Sequence, residues 1–160
     1  MAELNQTNIV PCLWFDKQAE EAVAFYTSVF KDSKLHATTR FGKAGFEQHG
    51  QPEGLVMTID FEVNGIRLTA LNGGPHFTFN EAVSFIVLCE DQAEIDYYWD
   101  ALGADGGSHG PCGWLKDKYG LSWQVCPRGM DEMLNSAGGQ NAMTKMMQMS
   151  KIIIADLTSA

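Results

Sequence analysis

A chain that carries one pattern twice is confined to folds assembled from two like halves, and two independent matches place such a repeat here. LWFDKQAEEAVAFY, residues 13–26, is echoed by VLCEDQAEIDYYWD, residues 87–100, so that Gln18-Ala19-Glu20 returns as Gln92-Ala93-Glu94, 74 positions later. In both, an apolar run meets acids and then opens a helix. NGIRLTALNGG, residues 64–74, is answered in the same order by YGLSWQVCPRG, residues 119–129, each a Gly-initiated apolar strand closed by another glycine. The period is too long for a solenoid, so each copy is half a domain. The stretch ALNGGPHFTFNEAVSF, residues 70–85, is the joint between them.

Periodicity gives the content of each half. Residues 9–15 are an apolar run without charge, as in a strand buried on both faces, and Asp16 is expected to cap the helix that follows. From Ala19 to Phe30 apolar residues recur at three and four, a helical stripe. Residues 35–41 have the composition of a strand and 42–54 of a Gly-rich loop. Residues 55–63 alternate, with Met57, Ile59, Phe61 and Val63 on one face and Thr58, Asp60 and Glu62 on the other. Asn64-Gly65 is the favoured pair for a tight hairpin turn into a return strand over 66–71. The second half repeats the order: a strand over 83–89, a helix over 92–102, a turn at Asp105-Gly106-Gly107, a weakly marked strand near Ser108, and strands over 113–117 and 121–125 around Tyr119-Gly120. The expected fold is α+β: two β-α-β-β-β modules forming a curved eight-stranded sheet with a cup, helices outside. The expected organisation is a single domain over 1–160, with modules at 9–74 and 83–128, a joint at 75–82 and a helical C-terminal extension at 129–160. There Met143, Met146 and Met147 stand at helical spacing, as in one terminal amphipathic helix covering an apolar seam, and Ile152-Ile153-Ile154 packs on the domain or on a second subunit.

Twenty acids against eleven Lys plus Arg give a net charge of −9, which argues against nucleic acid and anionic membranes, since both need a basic footprint. No apolar run approaches the ~20 residues of a membrane span and no leader pattern opens the chain, so it reads as cytoplasmic. Cys12, Cys89, Cys112 and Cys126 stand far apart with no Cys-x-x-Cys pair, a pattern of buried thiols in a reducing compartment rather than a disulfide frame.

PCLWFDKQAEEAVAFY, LNGGPHFTFNEA and CGWLKDKYGLSWQV, which span most of the chain from Pro11 to Val125, together resemble the PhnB-like group of the vicinal oxygen chelate superfamily, the fold of glyoxalase I, extradiol dioxygenases and bleomycin-resistance proteins. The group is often labelled a 3-demethylubiquinone-9 3-methyltransferase domain. The resemblance implies a pocket for a small-molecule ligand and commonly a homodimer. Enzymes of the superfamily chelate a divalent ion through His, Gln or Glu on the first and last strands of each half. The corresponding positions here fall on Pro11, Thr69, Ser84 or Phe85, and Gln124. That set offers no carboxylate and no imidazole, so no metal and no cofactor are expected.

With Gln124 facing the cup, the two-residue strand period places Ser122 and Cys126 beside it, and Arg67 and Thr69 likewise. Thr58, Asp60 and Glu62 add a polar face. The expected ligand-binding residues are Asp60, Thr69, Asn72, Phe79, Trp114, Ser122 and Gln124, with Trp114 and Trp14 as stacking walls. Candidate catalytic residues are His76, the one histidine in the joint, and Cys112, with His109 nearby in sequence. His76 could equally tie two backbone segments together. The methyl-donor label meets an obstacle: a dinucleotide-like site needs a Gly-rich turn between strand and helix, and both principal helices start after acidic turns, Phe15-Asp16 and Glu90-Asp91. The reading is therefore a metal-free binder of a small organic molecule. The alternatives are a glyoxalase- or dioxygenase-type isomerase or lyase and a drug-sequestering protein.

Overall fold

The structure, a computed structural model, describes residues 9–158. The first half runs β1 (Cys12–Phe15), α1 (Ala19–Val29), β2 (Ser33–Arg40), the single turn α2 (Phe46–His49), β3 (Val56–Val63) and β4 (Ile66–Asn72). The second runs β5 (Ser84–Cys89), α3 (Gln92–Leu102), β6 (Ser108–His109), β7 (Trp114–Lys116) and β8 (Ser122–Pro127). The eight strands hydrogen-bond as two four-stranded mixed sheets, ordered β1-β4-β3-β2 and β5-β8-β7-β6. The expected eight strands are thus divided one sheet to a module. In each, the first strand lies parallel to the last, Cys12 beside Thr69 and Ile86 beside Gln124. By its contacts the chain divides between Thr78 and Phe79 into two compact units.

In the first unit, Ala22, Val23, Tyr26 and Val29 of α1 are buried with Ile59, Phe61 and Val63 of β3 and Leu68 and Ala70 of β4. Tyr26 stacks on Phe61 at 6.4 Å. The β3–β4 hairpin turns at Asn64 (φ 46°) and Gly65 (φ 79°), two left-handed residues as a type I′ turn requires. The alternation predicted for β3 breaks at its start. Val56 is fully buried and Met57 only half-buried, across from a register shift between Thr39 and Arg40, where an irregularity changes the phase of the pleat.

The two principal helices start where the sequence repeat places them but are capped differently. Asp91 caps α3 by accepting from the Glu94 N–H at 2.9 Å, and Glu94 reaches back to the Glu90 N–H at 2.8 Å, a local capping arrangement. Asp16 makes no such cap. The Ala19 N–H at the head of α1 instead donates to Asn72 Oδ1 at 2.9 Å, while Asn72 Nδ2 donates to the Val56 carbonyl at 2.9 Å. Asn72 is fully buried, so one amide joins helix, β3 and β4.

In the second unit α3 buries Ile95, Trp99 and Leu102 and packs on β5, β7 and β8. Asp117, 2% exposed, gathers the β7–β8 turn: it accepts from the N–H groups of Tyr119 (2.9 Å) and Leu121 (3.1 Å) and from Trp123 Nε1 (2.9 Å). The C-terminal extension forms three short helices, α4 (Met130–Asn135), α5 (Gly139–Met146) and α6 (Ile154–Thr158), where one amphipathic helix was expected. Positions 159 and 160 lie outside the described residues. Gln92 fastens the extension, its Oε1 accepting from the Ile154 N–H at 2.9 Å and its Nε2 donating to the Ile152 carbonyl at 3.0 Å. Ile152 is fully buried. Among the described residues no helix is long and apolar enough to cross a membrane.

Because Asn72 satisfies two buried backbone groups from separate elements, Asn72→Ala is expected to cost about 2–3 kcal/mol, against about 1 kcal/mol for the exposed cap Asp91→Ala. Urea unfolding reads this as a larger drop in midpoint at unchanged slope; equal losses in the two variants would contradict the bridging role.

Candidate functional site

On the face of the first sheet turned away from α1, residues form rows across the strands set by the register. One row is Trp14, Leu71, Thr58 and Thr39, the next Cys12, Thr69, Asp60 and Ala37, the third Arg67, Glu62 and Lys34. The charges on this face satisfy one another. Asp60 accepts from Thr69 Oγ1 at 2.7 Å and from Arg67 Nη2 at 3.2 Å, and Glu62 lies 3.8 Å from Lys34 Nζ and 3.4 Å from His36 Nε2. Asp60 and Thr69 are therefore together, as the strand period implied, but spend their hydrogen-bonding capacity largely on each other and on Arg67.

At one end of this unit lies a cavity of about 330 Å³ walled by Trp14, Phe41, Met57 and Leu71, with Gln51 and His76 among its polar lining. Trp14 is fixed there, its Nε1 donating to the Gly74 carbonyl at 2.9 Å and its ring meeting Phe77 edge-on at 4.9 Å. A side chain at Gly73 would overlap the indole, since its Cβ would fall 2.2 Å from Trp14 Cζ2. The joint glycine is thus required by close approach. His76 is exposed, and its ring has no hydrogen-bond partner among the described residues, so it does not tie backbone segments together. Asn72 reaches the same cavity, but both ends of its amide are engaged in the fold. Phe79 lies half-buried at the start of the second unit.

The second sheet presents a different face. Away from α3, the register aligns Ser84, Ser122, Lys116 and Ser108 in one row and Ile86, Gln124 and Trp114 in the next. Gln124 Nε2 donates to Ser84 Oγ at 2.9 Å. A cavity of about 460 Å³ is lined by Trp114, Pro111, Ser108, Lys116, Ser122 and Glu81 among others. Ser122 is 1% exposed, and its Oγ has no hydrogen-bond partner. Glu81 Oε1 lies 2.5 Å from Lys116 Nζ, and this hydrogen bond, more than the charge itself, holds the Glu81 carboxyl below its ordinary range. Trp114 and Ser122, both expected at the site, meet in this cavity. Lys116 and Glu81 were not singled out from sequence; Lys116 stands in the CGWLKDKYG segment, yet only the register shows that it neighbours Ser122.

The thiols are poorly placed for nucleophilic work, which needs a thiolate. Of the four only Cys89 is buried as expected, and Cys12 is exposed. Partial desolvation of the sulfur, with help from Asp60, raises Cys12; desolvation, with Cys112 adding to it, raises Cys126; and burial foremost pushes Cys89 up to about 12. Cys112 has φ 57° and lies 3.7 Å from Met147 Sδ. His109, the base that sequence proximity offered it, is stacked on Trp99 at 4.5 Å with Nε2 3.3 Å from the Trp99 carbonyl. The imidazole is committed to the end of α3.

The superfamily's metal positions can be tested on these donors. On β1 the residue beside Thr69 is Cys12, not Pro11, and on β5 it is Ser84 whose side chain meets Gln124, while Phe85 faces α3's side and packs on Trp123 at 5.4 Å. Metal ligation needs deprotonated or lone-pair donors free to converge. The Cys12 thiol is shifted upward, Thr69 and Ser84 are neutral hydroxyls of which Thr69 donates to Asp60, and Gln124, its Nε2 given to Ser84, offers one neutral amide oxygen. Such donors do not fit a divalent ion, and among the described residues no three of His, Cys, Asp and Glu gather elsewhere.

Two β-α-β-β-β modules, each closed by its first strand lying parallel to its last, are the defining architecture of the vicinal oxygen chelate superfamily. The profile of the family described as 3-demethylubiquinone-9 3-methyltransferase matches residues 7–126, and the chain belongs to that PhnB-like family. A PhnB protein from Bacillus cereus bearing the same 3-demethylubiquinone label is 33% identical, with a TM-score of 0.64 over 76% of this chain and 99% of that one. Protein PA1353 from Pseudomonas aeruginosa is 22% identical, with a TM-score of 0.59 over 76% of this chain and 98% of its own. A glyoxalase/bleomycin resistance protein from Albidiferax ferrireducens is 13% identical, with a TM-score of 0.46 over 76% of this chain and all of that one. No curated protein matches the sequence significantly.

The raised Cys89 pKa has a consequence for stability. Between pH 9 and about 12 an unfolded chain releases the Cys89 proton while the folded one keeps it, so its contribution is intact below pH 9 and declines as pH rises through that window. Cys89→Ala is expected to show a shallower alkaline loss of urea midpoint than the parent protein; parallel pH curves would contradict this.

Proposed function

We propose that this protein binds a small organic molecule in the cavity beside Trp114, without a catalytic metal. The observation that carries the reading is the Ser122 hydroxyl, fully buried in the cavity wall and unpaired, beside a largely apolar lining with an aromatic side. Leaving a buried hydroxyl unpaired costs about 1–3 kcal/mol, which a ligand acceptor recovers. A cavity of about 460 Å³ suits a ligand of small-drug size. The donor chemistry at Cys12, Thr69, Ser84 and Gln124 supports the metal-free part of the reading. The turns from β1 to α1 and from β5 to α3 contain no glycine, which weighs against a methyl-donor cofactor despite the family's label. Should turnover occur, His76 is the imidazole free to act as acid or base, in the first unit's cavity.

Titration with planar aromatic compounds is expected to give saturable quenching of tryptophan fluorescence that Trp114→Phe largely removes. Elemental analysis of the protein as purified is expected to find no stoichiometric divalent ion. Absence of any saturable change would overturn the binding site, and a retained ion would overturn the metal-free reading.

The homodimer remains part of the proposal. β5 is one of the two edge strands of its sheet and carries Ile86, 58% exposed, and Leu88, 48% exposed, an apolar edge that a protein commonly covers. Light scattering is expected to give twice the chain mass, falling to one for Leu88→Lys; a monomeric parent would remove this element.

A further inference from the structure

The row formed by Ser84, Ser122, Lys116 and Ser108 crosses all four strands of the second sheet on one face. The half-buried Phe85 and the buried Trp123 and Leu115 take the alternate positions, as the pleat requires. The hydroxyls of Ser122 and Ser108 thus flank one ammonium, with Ser84 beyond Ser122 and no carboxylate on the sheet among them. Gln124 supplies a hydrogen bond to Ser84 Oγ, which leaves that hydroxyl's proton for a partner. The Ser122 hydroxyl likewise has no partner of its own. Ser108, Lys116 and Ser122 line one cavity, and hydroxyl and ammonium donors set side by side are the chemistry that holds an oxyanion.

The twin module sharpens the point. The matching row of the first sheet is Arg67, Glu62 and Lys34, in which cations and carboxylate lie side by side on the sheet. In the second sheet the position of Glu62 is taken by Lys116, and that of Arg67 by Ser122. The charge partner of Lys116 comes from outside the sheet: Glu81, in the segment before β5, with its side chain 62% exposed. A carboxylate at 2.5 Å from the ammonium occupies the place a bound anion would take, and its exposure lets it swing into water at small cost.

We propose that the cavity beside Trp114 selects organic oxyanions, carboxylates or phosphonates on an aromatic or apolar body, by seating the anionic group on Lys116, Ser122 and Ser108 in place of the Glu81 carboxylate. The apolar body lies against Trp114 and Pro111. This rests on the small-molecule reading of the same cavity and adds the charge of the ligand. Glu81 then acts as an internal competitor that keeps Lys116 neutralised until an anion displaces it.

The test compares phenylphosphonate, benzoate and the neutral benzyl alcohol by tryptophan fluorescence and calorimetry at fixed ionic strength. One or both anions are expected to bind at least about tenfold more tightly than benzyl alcohol, the size of a charged hydrogen bond. Which anion is preferred separates a phosphonate seat from a carboxylate seat. Lys116→Gln is expected to remove the preference for anions while leaving benzyl alcohol unaffected, and Glu81→Gln to tighten anion binding several-fold. Benzyl alcohol binding as well as both anions, or Glu81→Gln leaving anion affinity unchanged or weaker, overturns the proposal even where Lys116→Gln fails to fold. In that outcome the small-molecule reading survives, because neutral aromatics still quench Trp114. If neither charged nor neutral compounds perturb Trp114, both fall.

Discussion

Parallel pairing of the first strand of each module with its last is the constraint on which the molecule depends. The intervening helix must cross over to one face of the sheet for that pairing to form, and α1 and α3 do so, each burying an apolar stripe. Once that face is taken, the pleat assigns every other residue of four strands to the remaining face. Cys12, Thr69 and Asp60 in one module, and Ser84, Ser122 and Lys116 in the other, are neighbours for this reason alone. A shift of one residue in β8 would turn Ser122 and Gln124 toward α3 and expose Trp123 and Val125, so burial of those two large side chains holds the polar row in register.

The repeated modules were legible in the sequence because the signals that mark them are local. Gln92 opens α3 where the repeat placed it, and Asn64-Gly65 makes its turn, since capping acids and left-handed turn residues act within a few positions. What was not legible depends on partners distant in sequence. The cap of α1 is Asn72, 53 residues from Ala19, and no short motif announces it. Counting back from a helix placed the first-strand position on Pro11, one residue from Cys12, because strand parity is fixed only by its neighbour β4. Glu81 and Lys116 escaped notice for the same reason: each is an ordinary charged residue until the register and the loop bring them together. The extension escaped as well, since the amide of Gln92, not the helical spacing of Met143 and Met146, decides where it lies.

Divergence between the twins follows a chemical logic. The first sheet keeps acids and bases adjacent, so Asp60 and Glu62 are compensated within the face and little charge is left to recruit a ligand. The second has exchanged those charges for hydroxyls and an indole around a single ammonium. Hydroxyls bind an anion through dipoles whose direction can adjust, without the repulsion that further cations would bring to the unliganded fold. Desolvation, by contrast, raises the thiols of Cys12, Cys89 and Cys126, and the one histidine near Cys112 in sequence stabilises the end of α3. The same face that suits recognition is therefore poorly equipped for covalent chemistry.

The net charge of −9 bears on how an anion could be recognised at all. At long range the protein repels it, but at physiological salt the Debye length is about 8 Å, so distant carboxylates are largely screened. Only groups within contact distance then decide affinity. A lysine left bare in an apolar wall would be costly, and one permanently paired to a buried acid would be inert. Glu81 meets both demands, because it is close enough to neutralise Lys116 and exposed enough to leave. Exchange of one carboxylate for another anion leaves the charge in contact with Lys116 unchanged, so the net gain comes from what Glu81 cannot supply: hydrogen bonds to the buried Ser122 hydroxyl and an apolar body against Trp114. Selectivity in such a site resides in shape and hydroxyl geometry, with the ammonium setting only the sign of the ligand.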